Sequence, residues 1–140
     1  MLTATRTHEI ACGHRVVGHE GKCAHFHGHN YTFELTLAGE LDAVGRVLDF
    51  GIIKARLCSW LEEHWDHRML LWHLDPDAQA LKALDDRVVL LDFNPTAENL
   101  AFFLVEKIGP LQLRNTGAEL IACTVQETGK CSATYRRRDA

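Results

Sequence analysis

The stretch His27-Gly28-His29-Asn30-Tyr31-Thr32-Phe33-Glu34-Leu35-Thr36-Leu37 decides the fold class. Tyr31, Phe33, Leu35 and Leu37 lie on one phase of a two-residue period, and Thr32, Glu34 and Thr36 on the other. That alternation belongs to a β-strand with one apolar and one polar face. His27 and His29 lie two apart at the start of the strand, so their side chains leave the same face and two imidazoles stand side by side.

Upstream, Thr3 to Gly13 reads as a second strand, with Ala4, Arg6, His8, Ile10, Cys12 and His14 in one phase. Between the two lies a loop rich in Gly and His, from Arg15 to Phe26. Downstream, Asp49 is the expected N-cap of a helix whose apolar face is Ile53, Leu57, Trp60, Leu61 and His64. The segment from Asp66 to Asp86 is mixed, with Asp75-Pro76-Asp77 reading as a turn or helix start and Val88 to Leu91 as a short strand. A second helix is expected from Thr96, with Leu100, Phe103, Leu104 and Ile108 buried and Gly109-Pro110 as its stop. Glu119 to Thr128 and Ser132 to Arg136 read as two strands joined by a turn at Gly129. The order β-β-α-α-β-β predicts an α+β fold, a four-stranded antiparallel sheet with two helices on one face. Its open edges make a homo-oligomer plausible.

The 140 residues fit a single domain, 1–140. A net charge of −4 argues against nucleic acid as the main partner, since phosphate binding needs a basic surface. The triplet Arg136-Arg137-Arg138 reads as a solvated end. No run has the length of a membrane span, and the first residues lack a secretory pattern, so a soluble cytoplasmic protein is expected. Five cysteines, an odd number with no CxxC pair, read as free thiols.

Of nine histidines, six fall between His8 and His29. If the first two strands pair antiparallel, His14 at the end of one lies near His27 and His29 at the start of the other. Three imidazoles with an open fourth position form the donor set of a catalytic zinc site. Spacing alone leaves His25, His8 and His19 as rivals for the third place. Cys23, four residues before His27, reads either as a ligand or as an activated thiol. Asp66-His67 is a candidate acid–base pair. Glu127 continues the phase of Ile121, Cys123 and Val125, and a carboxylate there can accept hydrogen bonds from an amino-pyrimidinone ring. Arg15 and Lys22 are the local cations available to a phosphate.

The run Cys12-Gly13-His14-Arg15, then Lys22-Cys23, then His27-Gly28-His29-Asn30-Tyr31, resembles the signature of the 6-pyruvoyl-tetrahydropterin and 6-carboxytetrahydropterin synthase family. Asp66-His67-Arg68, Pro95-Thr96-Ala97-Glu98-Asn99 and Gln126-Glu127-Thr128 are similar to the family's later motifs, in the same order. The resemblance runs from about His8 to Tyr135, and the short gap between Cys23 and His27 resembles the bacterial carboxy-forming branch of the queuosine pathway. It implies a tunnelling fold in which sheets of several subunits, as a tetramer or hexamer, close into a barrel with sites at subunit interfaces. It further implies zinc on His14, His27 and His29, Cys23 as base, Asp66 and His67 as a second acid–base unit, and Glu127 as the anchor of the pterin. The implied reaction is a carbon–carbon lyase step, from 7,8-dihydroneopterin triphosphate to 6-carboxy-5,6,7,8-tetrahydropterin with release of acetaldehyde and triphosphate. A pyruvoyl-type synthase and a non-catalytic zinc protein using His25 or Cys12 as a fourth ligand are the alternatives. Three features depart from the family pattern: Cys12-Gly13 before the first ligand, His at position 25, and Met69-Leu70-Leu71-Trp72-His73-Leu74-Asp75 with a longer insert before Pro95.

Overall fold

The structure is a computed structural model that describes residues 1–139. Strand β1 (Thr3–His14) pairs antiparallel with β2 (His27–Gly39) along its whole length, from Thr3 opposite Ala38 to His14 opposite His27. Tyr31, Phe33, Leu35 and Leu37 are all buried, as their alternation requires. Strand β5 (Ala118–Gln126) pairs antiparallel with β2, and β6 (Ser132–Arg136) with β5.

The sheet has six strands rather than the expected four. Two short strands, β3 (Met69–Trp72) and β4 (Val89–Leu91), extend it beyond β1 and run parallel to it, giving the order β4-β3-β1-β2-β5-β6. The sheet is therefore mixed. Strand β3 escapes a reading by alternation because Leu70 and Leu71, on opposite faces, are both fully buried. A strand covered on both faces shows a continuous apolar run instead of a period of two.

Helix α1 covers 50–64 and starts at Asp49, whose carboxylate accepts the Gly51 N–H at 3.1 Å. Helix α3 covers 97–112, and Thr96 Oγ1 accepts the Asn99 N–H at 3.1 Å. Between them a third helix, α2 (Ala78–Leu84), lies in the insert. Gly109-Pro110 does not stop α3. The preceding turn Leu104–Ile108 is widened, with the Gly109 N–H reaching back to Leu104 O. Such a turn accommodates a residue that has no N–H to donate and whose ring would meet the carbonyl four residues back. No helix among the described residues is long and apolar enough to cross a membrane.

Helices α1 and α3 pack Ile53, Leu57, Leu61, Leu100 and Leu104 against Phe33, Leu35, Leu37, Leu120, Cys123 and Val125 in one core. Each such side chain contributes about 1.5–3 kcal/mol on burial. Cys58 and Cys123 sit in this core as small apolar groups, and burial pushes the Cys123 thiol up to about 12.

A Cβ on Gly109 would stand 2.9 Å from Leu120 Cβ and 3.3 Å from Leu104 O. Gly109→Ala gains about 1 kcal/mol of helix propensity but overpacks the α3–β5 contact by about 1–3 kcal/mol. The substitution is expected to lower the urea midpoint; an unchanged or raised midpoint would show that α3 can move away from β5 without penalty.

Candidate metal centre

The hairpin register sets the site. His14 and His27 are direct cross-strand partners, and His29 shares their face two residues further along β2. Their ring centroids lie 4.5 Å (His14–His27), 4.8 Å (His27–His29) and 5.3 Å (His14–His29) apart. One nitrogen of each falls within a group 4.8 Å across. These three residues are placed to bind a metal ion.

The ring orientations come from two backbone carbonyls. His14 Nδ1–H donates to Pro95 O and His27 Nδ1–H donates to His25 O, both at 2.7 Å. A carbonyl only accepts, so both rings carry their proton on Nδ1 and direct the Nε2 lone pair inward. The two Nε2 atoms are 3.0 Å apart. Facing lone pairs at that distance repel unless a proton or a cation lies between them. A proton is disfavoured, because burial above all, then the neighbouring His27 and His29, brings His14 down to about 4 against the lift from Pro95 O. Burial also lowers His29, against the opposing pull of Glu127. The Nε2 of His29 is buried with no hydrogen-bond partner. Three imidazole nitrogens converging on one point, one of them without a partner, form a donor set that fits a metal ion.

The rivals for the third position are engaged elsewhere. His8 Nε2 meets Glu62 Oε1 at 2.8 Å, and His19 Nδ1 accepts the Gly21 N–H at 2.8 Å. His25 is exposed and serves through its carbonyl rather than its ring. Cys12 is buried beside the site, its thiol pushed up to about 12 by burial and by Asp66, and it does not join the cluster. Cys23 does not join it either; it lies on a single 3₁₀ turn, Lys22–Ala24, with its carbonyl accepting the Val16 N–H at 2.8 Å.

Glu127 follows β5 on the inward phase, and its carboxylate stands 4.0 Å from His29 Nε2, beyond hydrogen-bond reach. Asp66 and His67 form a pair at 2.9 Å, with Asp66 also accepting the Ala11 N–H at 3.0 Å. Burial opposes ionisation of Asp66, yet the bonds from His67 and Ala11 keep its carboxyl below the usual range. The pair stands beyond β1, where the 75% exposed His67 opens on a cavity of about 600 Å³. That cavity is lined by Ala11, Gly13, Gly28 and Asn30, and also by Cys12 and His29 of the imidazole-bearing phase. Neither Asp66 nor His67 joins the three imidazoles in one cluster.

Arg15 is not free for a phosphate. Its guanidinium holds Asp75 through two nitrogens, meets Asp77 Oδ2 at 2.7 Å, and lies 4.1 Å from the centre of the Phe26 ring. Asn94 holds both the N–H and the carbonyl of Val17, at 3.0 and 2.8 Å. The long insert thus braces the start of the loop that carries Cys23, and the Arg15–Phe26 contact ties the two ends of that loop together. Asp75, Asp77 and the carbonyls of Pro95 and His25 were not legible as site residues. An acidic turn reads as solvated, and a carbonyl has no residue type to signal it.

The sequence pattern described as 6-pyruvoyl tetrahydropterin synthase matches residues 3–138. This chain belongs to that family. It is 40% identical over 113 residues to a 6-carboxy-5,6,7,8-tetrahydropterin synthase of Rickettsia bellii, covering 79% of this chain and 82% of that one. To the protein of the same name from Rickettsia typhi it is 34% identical over 136 residues, covering 94% and 97%. In three dimensions it is similar to the 6-pyruvoyl tetrahydropterin synthase of Caenorhabditis elegans, with a TM-score of 0.70 at 28% identity over 97% of this chain and 95% of that one. An uncharacterized protein of Wolinella succinogenes shares the fold at a TM-score of 0.84 and 20% identity, covering 98% of each chain.

With no ion bound, His14 is neutral when folded down to about pH 4, whereas an unfolded histidine takes up its proton near 6.5. Its contribution is complete above about pH 6.5 and is lost as pH falls toward 4, by at most about 3 kcal/mol. Denaturant titrations of the apo-protein across that window should show falling stability, with a shallower slope in His14→Gln. Equal slopes in the two proteins would mean His14 is not held neutral.

Proposed function

We propose that this chain is a zinc-dependent 6-carboxy-5,6,7,8-tetrahydropterin synthase. It takes 7,8-dihydroneopterin triphosphate to 6-carboxytetrahydropterin, with release of acetaldehyde and triphosphate. The observation that carries the reading is the three-imidazole set with its inward lone pairs and the Glu127 carboxylate alongside. Relatives at 34–40% identity bearing the carboxy name favour that branch over the pyruvoyl one.

His14, His27 and His29 would hold the zinc, which supplies Lewis acidity toward the hydroxyls of the pterin side chain. Glu127 accepts hydrogen bonds from the amino and ring N–H groups of the pterin and so sets the side chain toward the imidazoles. Cys23, on its braced loop, removes a proton from the side chain. Asp66 holds the Nδ1 side of His67, leaving Nε2 to exchange a proton with the substrate. In this reading Asp66 and His67 serve a neighbouring subunit, since they stand apart from the three-imidazole cluster of their own chain. The site is then shared within a cytoplasmic homo-oligomer.

Zinc-loaded protein incubated with dihydroneopterin triphosphate should yield a pterin with the mass of the 6-carboxy product. A 6-pyruvoyl mass assigns the chain to the other branch, and unchanged substrate refutes the catalytic reading.

Cys23→Ala and His67→Ala should each reduce turnover by at least 100-fold while zinc stays bound. Co-expressed, the two variants should regain measurable turnover, because some interfaces then pair an intact Cys23 with an intact His67. Absence of complementation would mean that both residues act within one chain. Loss of zinc from Cys23→Ala would make Cys23 a ligand.

A further inference from the structure

Among the described residues, His14 and Asp75 are the buried ones with polar or charged side chains. The metal reading accounts for His14 and leaves Asp75 to be explained. A carboxylate withdrawn from water is held only by close partners of good geometry, and Asp75 has them. Arg15 Nε donates to its Oδ2 at 2.9 Å, Arg15 Nη2 meets its Oδ1, and the Asp77 N–H donates to the same Oδ1 at 2.8 Å. A two-nitrogen fork of this kind fixes the plane of the guanidinium as well as its position.

The fork acts at the neck of a loop. Arg15 directly follows His14 in the chain, and Phe26 directly precedes His27. His14 and His27 are cross-strand partners, so the guanidinium carbon lying 4.1 Å over the Phe26 ring closes the loop between them. Inside the loop, the Val16 N–H donates to Cys23 O at 2.8 Å. Val16 is fixed on both sides. Arg15 before it is held by Asp75 and Phe26, and Val17 after it by the Asn94 amide, at 3.0 and 2.8 Å. Cys23 itself lies on a single turn with no side-chain cap and no buried residue. So short a turn has little of its own to hold it.

We propose that Asp75 is a positioning residue for Cys23. By orienting Arg15 on Phe26, it fixes the segment whose Val16 N–H holds the Cys23 backbone. Asp75 touches no reacting group and acts through Arg15 and Val16. Its consequence for turnover rests on the pterin reading, in which Cys23 takes the proton; a base displaced by a fraction of an ångström loses rate more than substrate affinity.

The test is Asp75→Asn, which keeps the shape and loses the charge, compared with the unaltered zinc-loaded protein. Alkylation by iodoacetamide is followed cysteine by cysteine through peptide masses. Cys23 should react about fivefold faster in the variant, while the exposed Cys131 and the core thiols Cys58 and Cys123 keep their rates. With dihydroneopterin triphosphate, kcat should fall about tenfold and KM stay within about twofold. Arg15→Lys, which keeps the charge and loses the fork, should move both readouts the same way, and it decides the question if Asp75→Asn does not fold. An unchanged Cys23 rate would overturn the proposal. Faster reaction of Cys58 and Cys123 along with Cys23 would show general loosening and would also overturn it. A faster Cys23 with unchanged kcat would overturn the link to turnover. If the unaltered protein leaves the substrate unchanged, the pterin reading falls, and the Cys23 rate still decides whether Asp75 positions the thiol.

Discussion

The register between the first two strands governs everything else in this protein. Because His14 lies opposite His27, and side chains alternate across a strand, the third imidazole of His29 falls on the same face. A slip of one residue would send His14 to the polar face and separate the three nitrogens. The register is held from the other end of the hairpin, where Phe33, Leu35 and Leu37 must meet the helices. The core that stabilises the fold thereby aligns the three imidazoles as well.

Around that register the chain uses backbone groups to control chemistry. The carbonyls of Pro95 and His25 select the tautomers of His14 and His27. One belongs to the segment that caps α3 and the other to the end of the loop, so folding of distant parts sets the donor atoms. Burial then disfavours a proton on His14 and on His29, which suits a cation there instead. The Arg15 clamp works on a different part of the same site. Its carboxylates come from the insert that distinguishes this chain from the family pattern. The insert therefore has a structural role, since it anchors the loop on which Cys23 rides.

In the proposed reading the Asp66-His67 pair serves a neighbouring chain, since it stands apart from the three-imidazole cluster of its own. His67 has a left-handed backbone, with φ of 58°, and lines the cavity of about 600 Å³. An assembly of that kind would need strand edges to pair, and the sheet ends at β4 and β6.

Much was legible from the residues alone. Alternation in β1 and β2, the caps at Asp49 and Thr96, and the pairing of His27 with His29 are local properties, and local spacing encodes them. Antiparallel pairing of the first two strands brought His14 into range, but could not decide between His14 and His25; the family motif made that choice, and the register gives its physical basis. Strand β3 stayed hidden because a strand buried on both faces loses its period, whereas β4 was read at Val88 to Leu91 but its place in the sheet was not. The brace on Arg15 and the carbonyl of Pro95 behind His14 are contacts between residues far apart in the chain. The sequence by itself singled out the candidate side chains. Only the tertiary structure decided which nitrogen of each ring faces inward and which groups are left without a partner, because both depend on what the fold brings opposite them.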